Sequence, residues 1–188
     1  MAATLEREIK LRFEDAETAR AAILRAGATP VRGRRLQEDY LLDTPGDQLR
    51  MRRCVLRVRV ESGKSLLTFK GPVQPALMKV REELETVVAD GPLVVLMLER
   101  LGFRVWFRYQ KYREEFALDD VVVALDETPV GTFVEIEGGD RGIAETAEAL
   151  GRRPGDYLLD SYRRLYQVDC EARGIAVADM VFEGDFGP

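Results

Sequence analysis

Glu6, Glu8, Lys10 and Arg12 occupy every second position near the amino terminus, and the same spacing of charge returns along the chain. It recurs at Arg57, Arg59 and Glu61, at Thr68 and Lys70, at Lys79, Arg81, Glu83 and Glu85, at Lys111 and Arg113, at Asp126, and at Glu135 and Glu137. Arg and Lys bind phosphate oxygens, Arg with two parallel bonds, while carboxylates take hard divalent cations such as Mg²⁺ or Mn²⁺. Like charges as close as Arg57 with Arg59, or Glu135 with Glu137, repel unless something bridges them. A polyanion arriving with a divalent cation would neutralise both sets.

Alternate placement requires strands, because a strand sends successive side chains to opposite faces. Leu5, Ile9, Leu11 and Phe13 stand opposite the first charged set, Leu56, Val58 and Val60 opposite the second, and Val134 and Ile136 opposite Glu135 and Glu137. Strands are predicted over 4–13, 37–43, 55–61, 65–71, 79–89, 105–116, 121–126 and 132–137. Helical spacing predicts helices over 15–26, capped by Asp15 and ended by Gly27, and over 92–101, between Asp90 and Gly102. Two further helices are predicted at 143–150 and from near Ser161 to Arg173. The result is an α+β chain with a mostly antiparallel sheet. Its charged face is either a solvated sheet face or, if the sheet closes with that face inward, the wall of a charged lumen. No repeat or linker divides the chain, so residues 1–173 are read as one domain and 174–188 as a partly ordered tail.

The composition narrows the chemistry. The 188 residues contain no histidine, which excludes Ser-His-Asp and Cys-His catalysis and HExxH zinc sites. Cys54 and Cys170 stand far apart and read as reduced thiols. A net charge of −5 and a pI near 5.1 argue against a nucleic-acid polymer as partner. The longest apolar run, Pro92 to Leu98, is far short of the roughly 20 residues that span a bilayer, so the expectation is a soluble cytoplasmic protein without a membrane partner. Gly63-Lys64-Ser65 resembles the end of a Walker A loop, but its flanks are strands and it reads as a hairpin turn.

Glu6-x-Glu8-x-Lys10 resembles the ExExK signature of the CYTH superfamily, the triphosphate tunnel metalloenzymes, and the resemblance continues from about Leu5 to Tyr166. QEDYLLDTP, LRVRVESGKSLLTFKGP, KVREELE, LERLGF, QKYR and LDETPVGTFVEIE follow in the family's order, with wording closest to the class IV adenylate cyclase-like branch. Val130, where Leu is common, and Leu41, where a second aromatic is frequent, are minor departures outside the charge set.

This resemblance implies an eight-stranded antiparallel closed β-barrel, the triphosphate tunnel, with helices packed on its outside. It implies that Arg57, Arg59, Lys70, Arg81, Lys111 and Arg113 hold triphosphate oxygens. Glu6, Glu8, Asp126, Glu135 and Glu137 would hold one or two Mg²⁺ or Mn²⁺ ions. Lys10 would contact phosphate or orient the attacking group, and Glu83 and Glu85 would position cations or ligate metal through water. The implied activity is hydrolysis of tripolyphosphate, thiamine triphosphate or a nucleoside triphosphate. Alternatives are cyclisation of ATP to cyclic AMP with release of pyrophosphate, and non-catalytic polyphosphate or nucleotide binding. A homodimer through an outer strand or helix is compatible with the sequence. Asp39 and Asp43 read as turn supports, Tyr40 as packing outside the barrel, and Trp106 as packing.

Overall fold

The computed structural model describes residues 4–184, so the first three residues of the expected domain and residues 185–188 of the expected tail lie outside it. Eight strands form the frame: β1 (Thr4–Phe13), β2 (Thr29–Asp43), β3 (Val55–Glu61), β4 (Lys64–Lys70), β5 (Lys79–Val88), β6 (Arg104–Leu118), β7 (Val121–Thr128) and β8 (Gly131–Glu137). They close into an antiparallel barrel in the order β1-β5-β4-β3-β2-β6-β7-β8. The helices are α1 (Ala16–Arg25), α2 (Gln48–Met51), α3 (Gly91–Arg100), α4 (Asp140–Ala149) and α5 (Tyr162–Arg173).

The largest apolar core lies outside the barrel wall. Ile9, Leu11, Val123, Leu125, Val134 and Ile136 point outward and are covered by Ala19 and Ile23 of α1 and Ile143 and Ala147 of α4. Burying those faces drives the strand register, since a slip of one residue would turn every charge of the strand into the core. The charged face is thereby committed to the lumen.

Local signals set most boundaries. Asp15 accepts from Thr18 N at 2.7 Å and Asp90 from Leu93 N at 2.9 Å, each starting its helix. Gly27 leaves α1 at φ +91°, and Gly63 turns the β3–β4 hairpin at φ +72°, conformations that glycine adopts without strain. Strand β2 begins eight residues before its predicted start. Register shifts between Pro30 and Arg32 and between Arg32 and Arg35 break the alternation there, so period-two reading misses it. The four-residue α2 is too short to show a period. Asp43 supports it by accepting from Leu49 N at 2.9 Å and Arg50 N at 3.0 Å.

One end of the barrel is completed by later chain. Strand β1 runs past β5, and Lys10 exchanges backbone hydrogen bonds with Leu158 at 3.0 and 2.9 Å. Strand β6 runs past β7, and Gln110 N donates to Met180 O at 2.8 Å, while Met180 N donates to Arg108 O. Each contact satisfies strand edges that would otherwise lack partners. Met180 is fully buried with Leu41, Phe107, Tyr109, Phe133 and Tyr162, which fill this end with apolar and aromatic side chains. Among the described residues no helix is long and apolar enough to cross a membrane.

Candidate functional site

The lumen is a cavity of about 270 Å³ walled by inward-facing residues of the strands. Of the residues to which the resemblance assigns a phosphate, metal or positioning role, all but Asp126 line it. Asp126 lies behind that lining, fully buried, where Lys111 Nζ (2.9 Å), Arg113 Nε (2.7 Å) and the Tyr162 hydroxyl (2.6 Å) donate to it. Its carboxylate is thus saturated by donors.

The other charges are paired across the tunnel. Glu6 accepts from Lys70 at 2.6 Å and Arg81 at 2.9 Å, and Lys70 also reaches Glu83 at 2.9 Å. Glu8 accepts from Lys79 at 2.5 Å and Lys10 at 3.2 Å, and Lys10 reaches Glu135 at 3.0 Å. Arg113 also contacts Glu135. On the opposite wall Arg59 grips Asp39 at 2.9 and 3.2 Å, and Arg57 approaches the same carboxylate at 3.4 Å. Arg57 also donates to Thr68, whose hydroxyl donates to Glu85.

This network fixes protonation. Burial and Glu8 push the Glu6 carboxyl up, but Lys70 and Arg81 outweigh them and hold it below its usual range. Glu8 and Glu135, although buried, are held well below that range by the ammonium groups around them, Lys10 first in both cases. Burial disfavours the Lys10 ammonium, yet Glu135 and Glu8 overcome this and raise its pKa, so Lys10 is a fixed cation rather than a base. Burial and Arg113 lower Lys111 to about 8, and burial and Lys10 lower Lys79 to about 8. Glu83 is raised by burial. Glu137 stands at the mouth of the tunnel. Desolvation by the wall, with Glu6, Glu8 and Glu83 nearby, pushes it up to about 7 although part of its side chain meets water.

The raised Glu137 marks negative charge that the side-chain cations leave unmet. Glu6, Glu8, Glu135 and Glu137 offer only hard oxygen donors, which fit Mg²⁺ or Mn²⁺ and not a metal that prefers sulfur or imidazole. Among the described residues no three acidic, His or Cys side chains already converge on one point, since ammonium and guanidinium groups stand between the carboxylates.

Asp39 corrects the expectation of a turn support: it is fully buried behind the cavity lining, where it anchors the luminal Arg57 and Arg59. Its signal was its parity with Gln37 in β2. Lys79 shares the parity of Arg81 and belongs to the network. Tyr162, delivered by the start of α5, carried no strand signal, yet its ring lies 5.2 Å from Lys10 Nζ and 4.8 Å from Lys111 Nζ. The Tyr40 hydroxyl donates to Glu38, on the face opposite Asp39, as expected of a residue outside the lumen.

The family model described as CYTH domain matches residues 4–166. "Putative adenylate cyclase MJ0240" of Methanocaldococcus jannaschii is 27% identical over 147 residues, covering 78% of this chain and 83% of that protein. The solved structure of the PH1012 protein from Pyrococcus horikoshii is 28% identical with a TM-score of 0.72, covering 85% of this chain and 98% of its own. A Hippeastrum protein, described as a putative adenylyl cyclase with a dominant triphosphatase activity, shares the fold at 18% identity. Its TM-score is 0.65, with 92% of this chain and 97% of that one covered.

Proposed function

The chain belongs to the CYTH domain family, whose members are triphosphatases or class IV adenylate cyclase-like enzymes, and from that premise we propose that it hydrolyses inorganic or organic triphosphate with a divalent metal ion. The observation that carries this reading is the partner arrangement: phosphate-binding cations and metal-type carboxylates line one tunnel and neutralise each other. A triphosphate entering with a cation offers each set a better partner.

In this reading Arg57, Arg59, Lys70, Arg81, Lys111 and Arg113 turn to phosphate oxygens, and Glu6, Glu8, Glu135 and Glu137 hold Mg²⁺ or Mn²⁺. Asp126 joins them only as Lys111 and Arg113 leave it for phosphate; until then it positions those two cations. When bound, the metal polarises a phosphoryl oxygen and lowers the pKa of a coordinated water. Lys10 holds a permanent positive charge against the phosphate chain. Glu83 and Glu85 keep Lys70 and Arg57 aimed into the lumen. Phosphoryl transfer depends mainly on positioning and charge neutralisation, so a chain without histidine meets its needs.

Cyclisation of ATP is the second reading, favoured by the name of the M. jannaschii relative. It requires the ribose 3′ hydroxyl to be held against the α-phosphate, whereas hydrolysis requires only water, and we place hydrolysis first. Phosphorus NMR of products from ATP and from tripolyphosphate, each with Mg²⁺ or Mn²⁺, decides between them. Orthophosphate without cyclic product supports hydrolysis; cyclic AMP with pyrophosphate replaces it by cyclisation. Binding without any product would leave a polyphosphate- or nucleotide-binding protein.

A further inference from the structure

A second cavity of about 260 Å³ adjoins the tunnel, and the two share Arg57, Lys70, Arg81, Tyr109, Ser161 and Tyr162 as a common wall. Its chemistry differs. Leu41, Cys54, Val55 and Trp106 give it an apolar surface, Arg50, Arg53 and Arg163 give it a positive edge, and among the described residues no carboxylate lines it. A metal ion has nothing to bind there, but a flat ring carrying acceptor atoms does.

Trp106 reaches this cavity through an irregularity in β6. Leu41 pairs with Phe107 and Leu42 with Val105, so Trp106 is the one residue of β6 unmatched between them. In a regular strand it would lie on the face opposite Phe107 and Tyr109, outside the barrel; a bulge at a barrel rim re-aims a side chain in this way. The guanidinium groups of Arg50 and Arg163 lie 4.5 and 4.7 Å from its ring centre. Among the described residues Arg163 Nε is buried without a hydrogen-bond partner, and burial with the neighbouring Arg50 disfavours its charge. An indole beside a donor that lacks an acceptor is suited to stack on a heterocycle and bond to its edge.

We propose that this cavity is the subsite for the organic group of the substrate. It takes a planar heteroaromatic ring joined to the triphosphate, and Trp106 with Arg163 selects such a compound over inorganic tripolyphosphate. The inference rests on the triphosphate reading of the tunnel. Arg57, Lys70 and Arg81, on the shared wall, then meet the phosphate nearest the ring.

Trp106 is the only tryptophan of the chain, so its fluorescence reports on this cavity alone. The full chain with Mg²⁺ is titrated with ATP, thiamine triphosphate and tripolyphosphate, and binding is followed in parallel by calorimetry. The expected result is a saturable change of emission with ATP or thiamine triphosphate that tripolyphosphate, though bound, does not reproduce. Trp106→Ala is expected to raise the ratio of KM for the ring-bearing substrate to KM for tripolyphosphate about tenfold, with Trp106→Phe restoring most of it. Equal emission changes for all three ligands, or an unchanged KM ratio, overturn the subsite while leaving the tunnel reading intact. Absence of calorimetric binding by all three overturns both.

Discussion

Tyr162 donates its hydroxyl to Asp126 Oδ2 at 2.6 Å, so the first residue of α5 is anchored inside the barrel on the carboxylate that also holds Lys111 and Arg113. Both residues are buried, 5% and 0% exposed, so water cannot replace a lost bond. Tyr162→Phe keeps the ring between Lys10 and Lys111 and removes only the donor. The expected cost is about 2 kcal/mol, a fall in Tm of roughly 4–8 °C for a chain of this size. Thermal unfolding monitored by circular dichroism measures it. An unchanged Tm would mean that the hydroxyl contributes nothing and that Tyr162 merely fills space.

The two halves of the site are expected to fail differently. Glu6→Gln or Glu135→Gln should lower turnover by about a hundredfold or more, as loss of a metal-binding group does, while tripolyphosphate still binds. Arg57→Ala should instead weaken tripolyphosphate binding about tenfold or more, because a charge-assisted contact is lost. Asp39 stays paired with Arg59 in that variant, so the fold is kept. Steady-state kinetics and calorimetry separate the effects. Full activity in Glu135→Gln would refute its role at the metal.

Metal and anion should bind cooperatively. In the empty tunnel Lys70 is held by Glu6 and Glu83, and Lys10 by Glu8 and Glu135, so taking either ligand alone strands charges of the other sign. By linkage, each ligand should tighten the other by the same factor, about five- to a hundredfold. Titrating Mg²⁺ with and without tripolyphosphate, and the reverse, measures both arms. Independent binding would show that the partner exchange described for the tunnel does not occur.

The charged lumen was legible because alternation survives in β1, β3, β5 and β8; the outer faces of β1 and β8 must be apolar to meet α1 and α4, and β3 lies against α3. Where bulges interrupt it, as at Pro30–Arg35 in β2, neither the strand nor the luminal place of Arg32 could be read. Asp39 had the right parity but sat beside turn-forming residues, and the stronger local signal prevailed. Tyr162 and Met180 enter the barrel end from a helix and a tail, so only long-range packing reveals them. Trp106 was read as packing because nothing in the sequence announces a bulge.

Glu61 links the far mouth of the tunnel to acid stability. Its side chain is 1% exposed and accepts from Arg32 at 2.7 Å, Gln37 at 2.7 Å and Arg35 at 3.1 Å. Burial alone would raise its pKa, but these hydrogen bonds and the Arg35 charge pull it down from 4.5 to about 2. A carboxyl depressed in the folded state stabilises the protein fully above its unfolded pKa and loses that contribution as pH falls through the folded value. The loss therefore runs from about pH 4.5 to about pH 2 and is at most about 3 kcal/mol. Urea unfolding across this range should show Glu61→Gln less stable than the natural chain at pH 7, with the gap closing toward pH 2. A gap that stays constant with pH would place the stabilisation in shape and packing at Glu61, not in its charge.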